Sequence, residues 1–273
     1  MTNHSFDLLM QLDTQHIRLD CAALHLARDI YPCLALPTYL AQLDEIADAV
    51  ADARPGLSAS LRYQAMRQVL VGEYELRGNE DDYYDPENSY LNRVLDRRLG
   101  IPISLSIVWL EVARRLKWPV AGLGLPGHFI IRFDDDEQYV LVDPFREGRT
   151  LAIDDCHRIL EYYFDRQVPF SPDFLRPVNV RLILARMLNN LRNIYTANHD
   201  WERLATVLQR LASVEPSNVR HLHDLAGLLY RQGDVQMAHA QLSKCLQQQP
   251  NADGQFLTRE RLAHLEAIIA SLN

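Results

Sequence analysis

The stretch GIPISLSIVWLEVARRL, Gly100 to Leu116, has almost no polar face when wound into a helix. Ile103, Leu105, Ile107, Val108, Trp109, Leu110, Val112, Ala113 and Leu116 point all round it. A helix that is apolar on every side has to be enclosed by other elements. It is shorter than the ~20 residues a membrane span needs, so the rest of the chain must supply the enclosure. With 273 residues there is length enough for that core and a second part. Pro102 suits the first helical turn, where a missing N–H costs nothing. Arg114 and Arg115 suit the C-terminal end of the helix dipole. Two hydroxyls, Ser104 and Ser106, stand near the start.

Before this helix, residues 5 to about 100 read as mainly helical. Asp20–Asp29, Leu36–Ala53 and Leu57–Leu76 carry apolar residues at three- and four-residue spacing, punctuated by Pro32, Pro37, Arg54-Pro55-Gly56 and Gly78-Asn79. After it, Val120–Leu125, His128–Phe133 and Tyr139–Asp143 are short β-branched or aromatic runs. They are split by Pro126-Gly127 and by the acidic loop Asp134–Glu137, and read as strands of an antiparallel sheet. Val168–Val178, with three prolines, reads as a linker.

Beyond the linker the chain repeats itself at a period of 34 residues. Leu188 matches Leu222, Leu191 matches Leu225, Ile194 matches Leu228, Asp200 matches Asp234, Leu208 matches Leu242 and Pro216 matches Pro250. Paired helices with this period resemble tetratricopeptide repeats, and about five helices fit in residues 180–273. Gly227 and Ala238 fill small-residue positions.

The formal charge is −8, which argues against a broad nucleic-acid or anionic-membrane surface. From Arg181 onward the balance is +2, leaving −10 for the first 180 residues, an asymmetry that fits a two-part chain. No run is long and apolar enough for a membrane helix, and the N-terminus has no signal-like core. Cys21, Cys33, Cys156 and Cys245 are scattered, so free thiols in a reducing cytoplasm are expected. Asp81, Asp82, Asp85 and Glu87 lack calcium-loop spacing and read as a solvated acidic loop. His221 and His223 do not share a helix face, and Gly122, Gly124 and Gly127 precede no helix. Neither a metal nor a cofactor is expected.

The hairpin over 128–143 is where chemistry could reside. If Phe133 pairs with Gln138 across a four-residue loop, Ile130 faces Leu141 and His128 faces Asp143. An aspartate beside an imidazole fixes its tautomer and stabilises its charged form. A one-residue slip would put the two on opposite faces. The helix start then offers a nucleophile, Ser104 or alternatively Ser106, where the dipole favours developing negative charge. Asn92 enters only as an amide that could donate to an oxyanion. Each has a plainer role open to it. Ser104 could be a helix cap, Ser106 a hydroxyl bonded back to the main chain, Asp143 a turn starter and His128 a satisfied core histidine.

The motifs GIPISLSIVWLEVARRL, LPGHFIIRF and LVDPF, followed by the 34-residue repeats, resemble the Sir-B-type bacterial family over essentially the whole chain. Its members join a transglutaminase-like domain to a tetratricopeptide tail. The resemblance implies an α+β fold: a papain-like transglutaminase core with a central helix, a small antiparallel sheet and N-terminal helices, followed by an all-α tetratricopeptide-like array. The expected division is 1–175 and 176–273. In that core, nucleophile, histidine and aspartate map to Ser104 (or Ser106), His128 and Asp143, with serine where active members carry cysteine. A serine cannot be pre-ionised by a neighbouring imidazolium as a thiol can. The resemblance implies a regulatory or scaffolding role, and the leading expectation is a cytoplasmic protein of that kind that binds a protein or peptide partner, the missing thiol weighing against an enzyme. The alternative is a serine-based amidase, acyl transferase or peptidase. A small-ligand sensor is a third reading.

Overall fold

The computed structural model describes residues 4–53, 56–165, 167–248 and 255–272. By contacts it falls into two compact units, Met1–Met187 and Leu188–Asn273.

In the first unit the helices are α1 His4–Leu9, α2 Leu19–Ala27, α3 Leu36–Asp52 and α4 Ala59–Arg67, which runs on into a wider turn over Gln68–Glu73. A two-residue parallel ladder, β1 Arg77–Gly78 against β2 Leu99–Gly100, flanks α5 Leu91–Arg97. The central helix α6 is Pro102–Arg115, and all of it from Pro102 to Trp109 is buried. Its enclosure matches the expectation from its sequence. The antiparallel sheet has the order β3 Val120–Leu123, β4 Ile130–Asp134, β5 Tyr139–Asp143, β6 Arg149–Leu151. Helix α7, Ile153–Phe164, follows it. Its inner side, with Cys156 and Leu160, closes a core cluster with Leu123, Leu125, Ile130 and Leu141. Strand β6 and helix α7 carry no strong signal in the sequence, and neither is anticipated there.

Two expectations need correcting. The β4–β5 pairing is Ile131↔Val142, Arg132↔Leu141 and Asp134↔Tyr139, two residues away from the expected register. The loop chemistry explains the shift. Asp135 accepts the N–H groups of Glu137 and Gln138 at 2.9 and 2.8 Å and donates its own N–H to the Gln138 carbonyl at 3.0 Å. Asp135 therefore belongs to the turn, and Asp134 to the strand. A two-residue slip keeps every side chain on its face. The second concerns 168–178, expected as a linker, which is held against β3 and the core cluster. Pro177 bridges Leu123, the Val178 N–H bonds the Gly122 carbonyl, and Phe170, Phe174 and Leu175 pack on the core cluster. Apolar residues among the prolines give this segment something to bury.

Helix α8, Val180–Ala197, contains the division between the units. It is followed by α9 Trp201–Val214, α10 Arg220–Arg231, α11 Val235–Gln248 and α12 Gln255–Leu272. The sequence repeat has a physical basis here. Leu188, Leu191, Ile194, Leu208, Leu222, Leu225, Leu228 and Leu242 are all buried. Asp200 caps α9 by accepting the Arg203 N–H, and Asp234 caps α11 by accepting the Met237 N–H. Pro250 lies outside the described residues.

Candidate functional site

His128 ends a tight turn, its N–H bonded to the Leu125 carbonyl. Gly127 makes the turn possible at φ +76, with the Tyr163 ring so close that an added Cβ would sit 2.6 Å from it. Continuing the observed register puts Asp143 opposite Ile130 and one diagonal step from His128, still on the same face. The imidazole Nε2 lies 2.8 Å from Asp143 Oδ2, and both side chains are buried, at 6% and 1% exposure. Asp143 Oδ1 accepts the N–H groups of Phe145 and Arg146 at 3.0 and 3.4 Å. The aspartate therefore starts the following turn and holds the histidine at once. A carboxylate only accepts, so Nε2 carries the proton of this bond, and in the neutral ring Nδ1 is then the acceptor. Nδ1 has no hydrogen-bond partner among the described residues.

The serines are engaged elsewhere. Ser104 Oγ accepts the Ile101 N–H at 3.0 Å and donates to the Asn88 carbonyl. Ser106 Oγ donates to the Pro102 carbonyl at 2.7 Å, one turn back. Neither hydroxyl is hydrogen-bonded to His128 among the described residues. Asn92 is buried on α5, and its amide oxygen has no hydrogen-bond partner among the described residues. The structure thus brings His128 and Asp143 together, engages Ser104 and Ser106 with main-chain groups, and leaves the Asn92 amide oxygen without a hydrogen bond among the described residues.

An aromatic and cationic frame surrounds the pair. Phe145 meets the His128 ring edge-on at 6.3 Å, and Tyr83 meets Phe145 at 5.8 Å. Burial, then the neighbouring Tyr163 and Tyr84, pushes the Tyr83 hydroxyl up to about 12. Arg186, from α8, donates to the carbonyls of Leu125 and His128 and stacks on Phe129. Burial draws its pKa below the ordinary guanidinium range. Arg186 and Tyr83 hold the turn and its surroundings, yet sequence reasoning misses both. Each is tens of residues from His128, and no short-range pattern ties them to it. Cys156 offers no thiolate: burial, then Asp155 and Asp143, pushes its thiol up to about 11. Among the described residues no group of three or more His, Cys, Asp or Glu could hold a metal ion.

A second buried polar cluster was also not anticipated. At the far end of α6, Asp20 takes bonds from Arg18, Arg114 and Arg115, and Glu111 takes bonds from Arg114 and Arg115. Burial opposes ionisation of Asp20, but the arginines prevail and hold its carboxyl well below the usual range. Burial and then Asp20 push Glu111 upward.

Residues 37–189 match the transglutaminase-like superfamily, and residues 191–265 match a tetratricopeptide repeat family. A UPF0162 protein of Xylella fastidiosa (strain 9a5c) is 34% identical over 262 residues, covering 94% of this chain and 93% of that protein. A UPF0162 protein of Pseudomonas aeruginosa is 29% identical over 238 residues, 83% of this chain and 86% of that one. F-box only protein 21 of Homo sapiens is 34% identical over 138 residues, 48% of this chain and 21% of that protein. This chain belongs to the transglutaminase-like superfamily, is related to UPF0162 proteins along nearly its whole length, and carries tetratricopeptide repeats after its transglutaminase-like domain.

Proposed function

We propose that this protein is a regulatory or scaffolding protein of the cytoplasm whose transglutaminase-like part, about 1–175, is catalytically inert. The part from about 176 to 273 then engages a protein or peptide partner. Tetratricopeptide repeats generally mediate protein–protein interaction, and this chain has them. The reading rests on one observation. The Ser104 proton and a lone pair are committed to Asn88 and Ile101, and Ser106 is committed to Pro102, so no hydroxyl is poised against His128. A serine nucleophile needs its base within hydrogen-bond reach of the attacking oxygen. Free thiols and the lack of any described helix long and apolar enough to cross a membrane are compatible with the assignment to the cytoplasm.

A fluorophosphonate probe with intact-mass detection tests the reading. The full chain is expected to stay unlabelled while retaining its partner. An adduct on Ser104 or Ser106 that disappears in His128→Ala would overturn it. The second reading, a serine-based amidase, acyl transferase or peptidase, draws on the buried His128–Asp143 bond and the open Nδ1. In it Ser104 attacks, His128 is the base and Asp143 orients.

A further inference from the structure

The repeat unit contains a concavity of about 890 Å³. That is near the upper end of the ~300–1,000 Å³ seen for ligand pockets. Its floor is apolar, built from leucines such as Leu204, Leu208, Leu228 and Leu242. Gly227 lies in that floor, and a Cβ built there meets nothing within 4 Å. The glycine therefore opens a notch where a bulky side chain can descend. Trp201 and Tyr230 stand at the margin, 39% and 43% exposed, although large aromatics usually bury more of themselves.

The rim carries charge that the protein does not neutralise. Arg192 is paired with Asp224 at 2.8 Å. Arg231 and Arg261 are exposed and make no ion pair among the described residues, against one further rim carboxylate, Glu260. The imbalance agrees with the sequence, where the balance is +2 from Arg181 onward and −10 before it. Exposed guanidinium groups without an ion pair, beside an apolar floor, favour carboxylates flanking an apolar side chain.

We propose that this groove takes an acidic peptide segment of a partner, with one bulky apolar anchor seated over Gly227 and carboxylates reaching Arg231 and Arg261. The proposal builds on the interaction-protein reading and specifies its ligand. Apolar burial at the notch supplies most of the affinity, and the arginines set the sign of charge accepted.

Three fluorescent peptides and the full chain test it by anisotropy. One peptide carries a phenylalanine anchor flanked by aspartate and glutamate, one replaces the acids by lysine, and one replaces the anchor by alanine. The acidic anchored peptide is expected to bind at least about tenfold more tightly than either of the others. Gly227→Trp, which fills the notch, should abolish that binding while leaving the thermal melt in place. Arg231→Glu with Arg261→Glu should reverse the charge preference. Equal or tighter binding of the lysine peptide overturns the proposal, as does acidic binding that ignores Gly227→Trp, or no binding of any peptide. None of these outcomes alters the fluorophosphonate result, so failure of this inference and failure of the inert-site reading are distinguishable.

Discussion

Ser104 is 1% exposed and joins two segments, through the Ile101 N–H and the Asn88 carbonyl. Ser104→Ala strands both groups in a buried place. It should cost about 1–3 kcal/mol in urea unfolding, the usual penalty for orphaned buried polar atoms. Asp20→Asn should cost more, about 3 kcal/mol at pH 7, because it leaves Arg18, Arg114 and Arg115 facing a neutral amide. The pH dependence has a definite sign. The Asp20 carboxyl is depressed in the folded state, so its stabilisation is complete above the ordinary carboxylate value of about 3.9 and fades as pH falls through the lower folded value. The penalty of Asp20→Asn should therefore shrink in unfolding curves measured in strong acid. Glu111 works the other way: its raised carboxyl costs stability as pH rises from the ordinary value through the folded one. At this scale the sequence is legible where spacing decides. That His128 and Asp143 share a face follows from strand parity alone. The partner of Ser104, sixteen positions earlier in the chain, does not, because no local pattern selects the Asn88 carbonyl.

Helices and strands were legible where periodicity or turn residues mark them. Strand β5 lies where alternation and the acidic loop place it, and α3 ends one residue before the boundary its pattern suggests. The β4–β5 register depends on which aspartate the turn captures, and several adjacent acidic residues make that choice invisible in the sequence. The segment 168–178 reads as a linker because of its three prolines, while its attachment to β3 runs through the backbone and leaves no pattern in the sequence. Val178→Pro removes the N–H that bonds the Gly122 carbonyl. It should lower stability by about 1 kcal/mol or more and speed hydrogen exchange along β3. Gly127→Ala combines a left-handed backbone with a clash against Tyr163. It should destabilise by at least about 1 kcal/mol and shift the His128 ring resonances in NMR spectra.

For the whole molecule, two kinds of order account for what could be read. The repeat array is quasi-periodic, so identical tasks recur at identical spacing, and Asp200 and Asp234 reveal themselves by doing the same capping job. The transglutaminase-like unit has no such redundancy. Its central helix announces that it is buried, while the arginine cluster at one end and the Arg186 clamp on the His128 turn arise only from tertiary packing. The same unit holds a buried imidazole–carboxylate pair, while the serine at its central helix start bonds the Ile101 N–H and the Asn88 carbonyl. The proposal that Ser104 is structural and does not serve His128 is most directly tested by placing a thiol at the serine position. In Ser104→Cys the account predicts slow alkylation by iodoacetamide at pH 6–7, with a rate unchanged by adding His128→Ala. Rapid alkylation that His128→Ala slows would mean that position 104 does face the imidazole, and would contradict it.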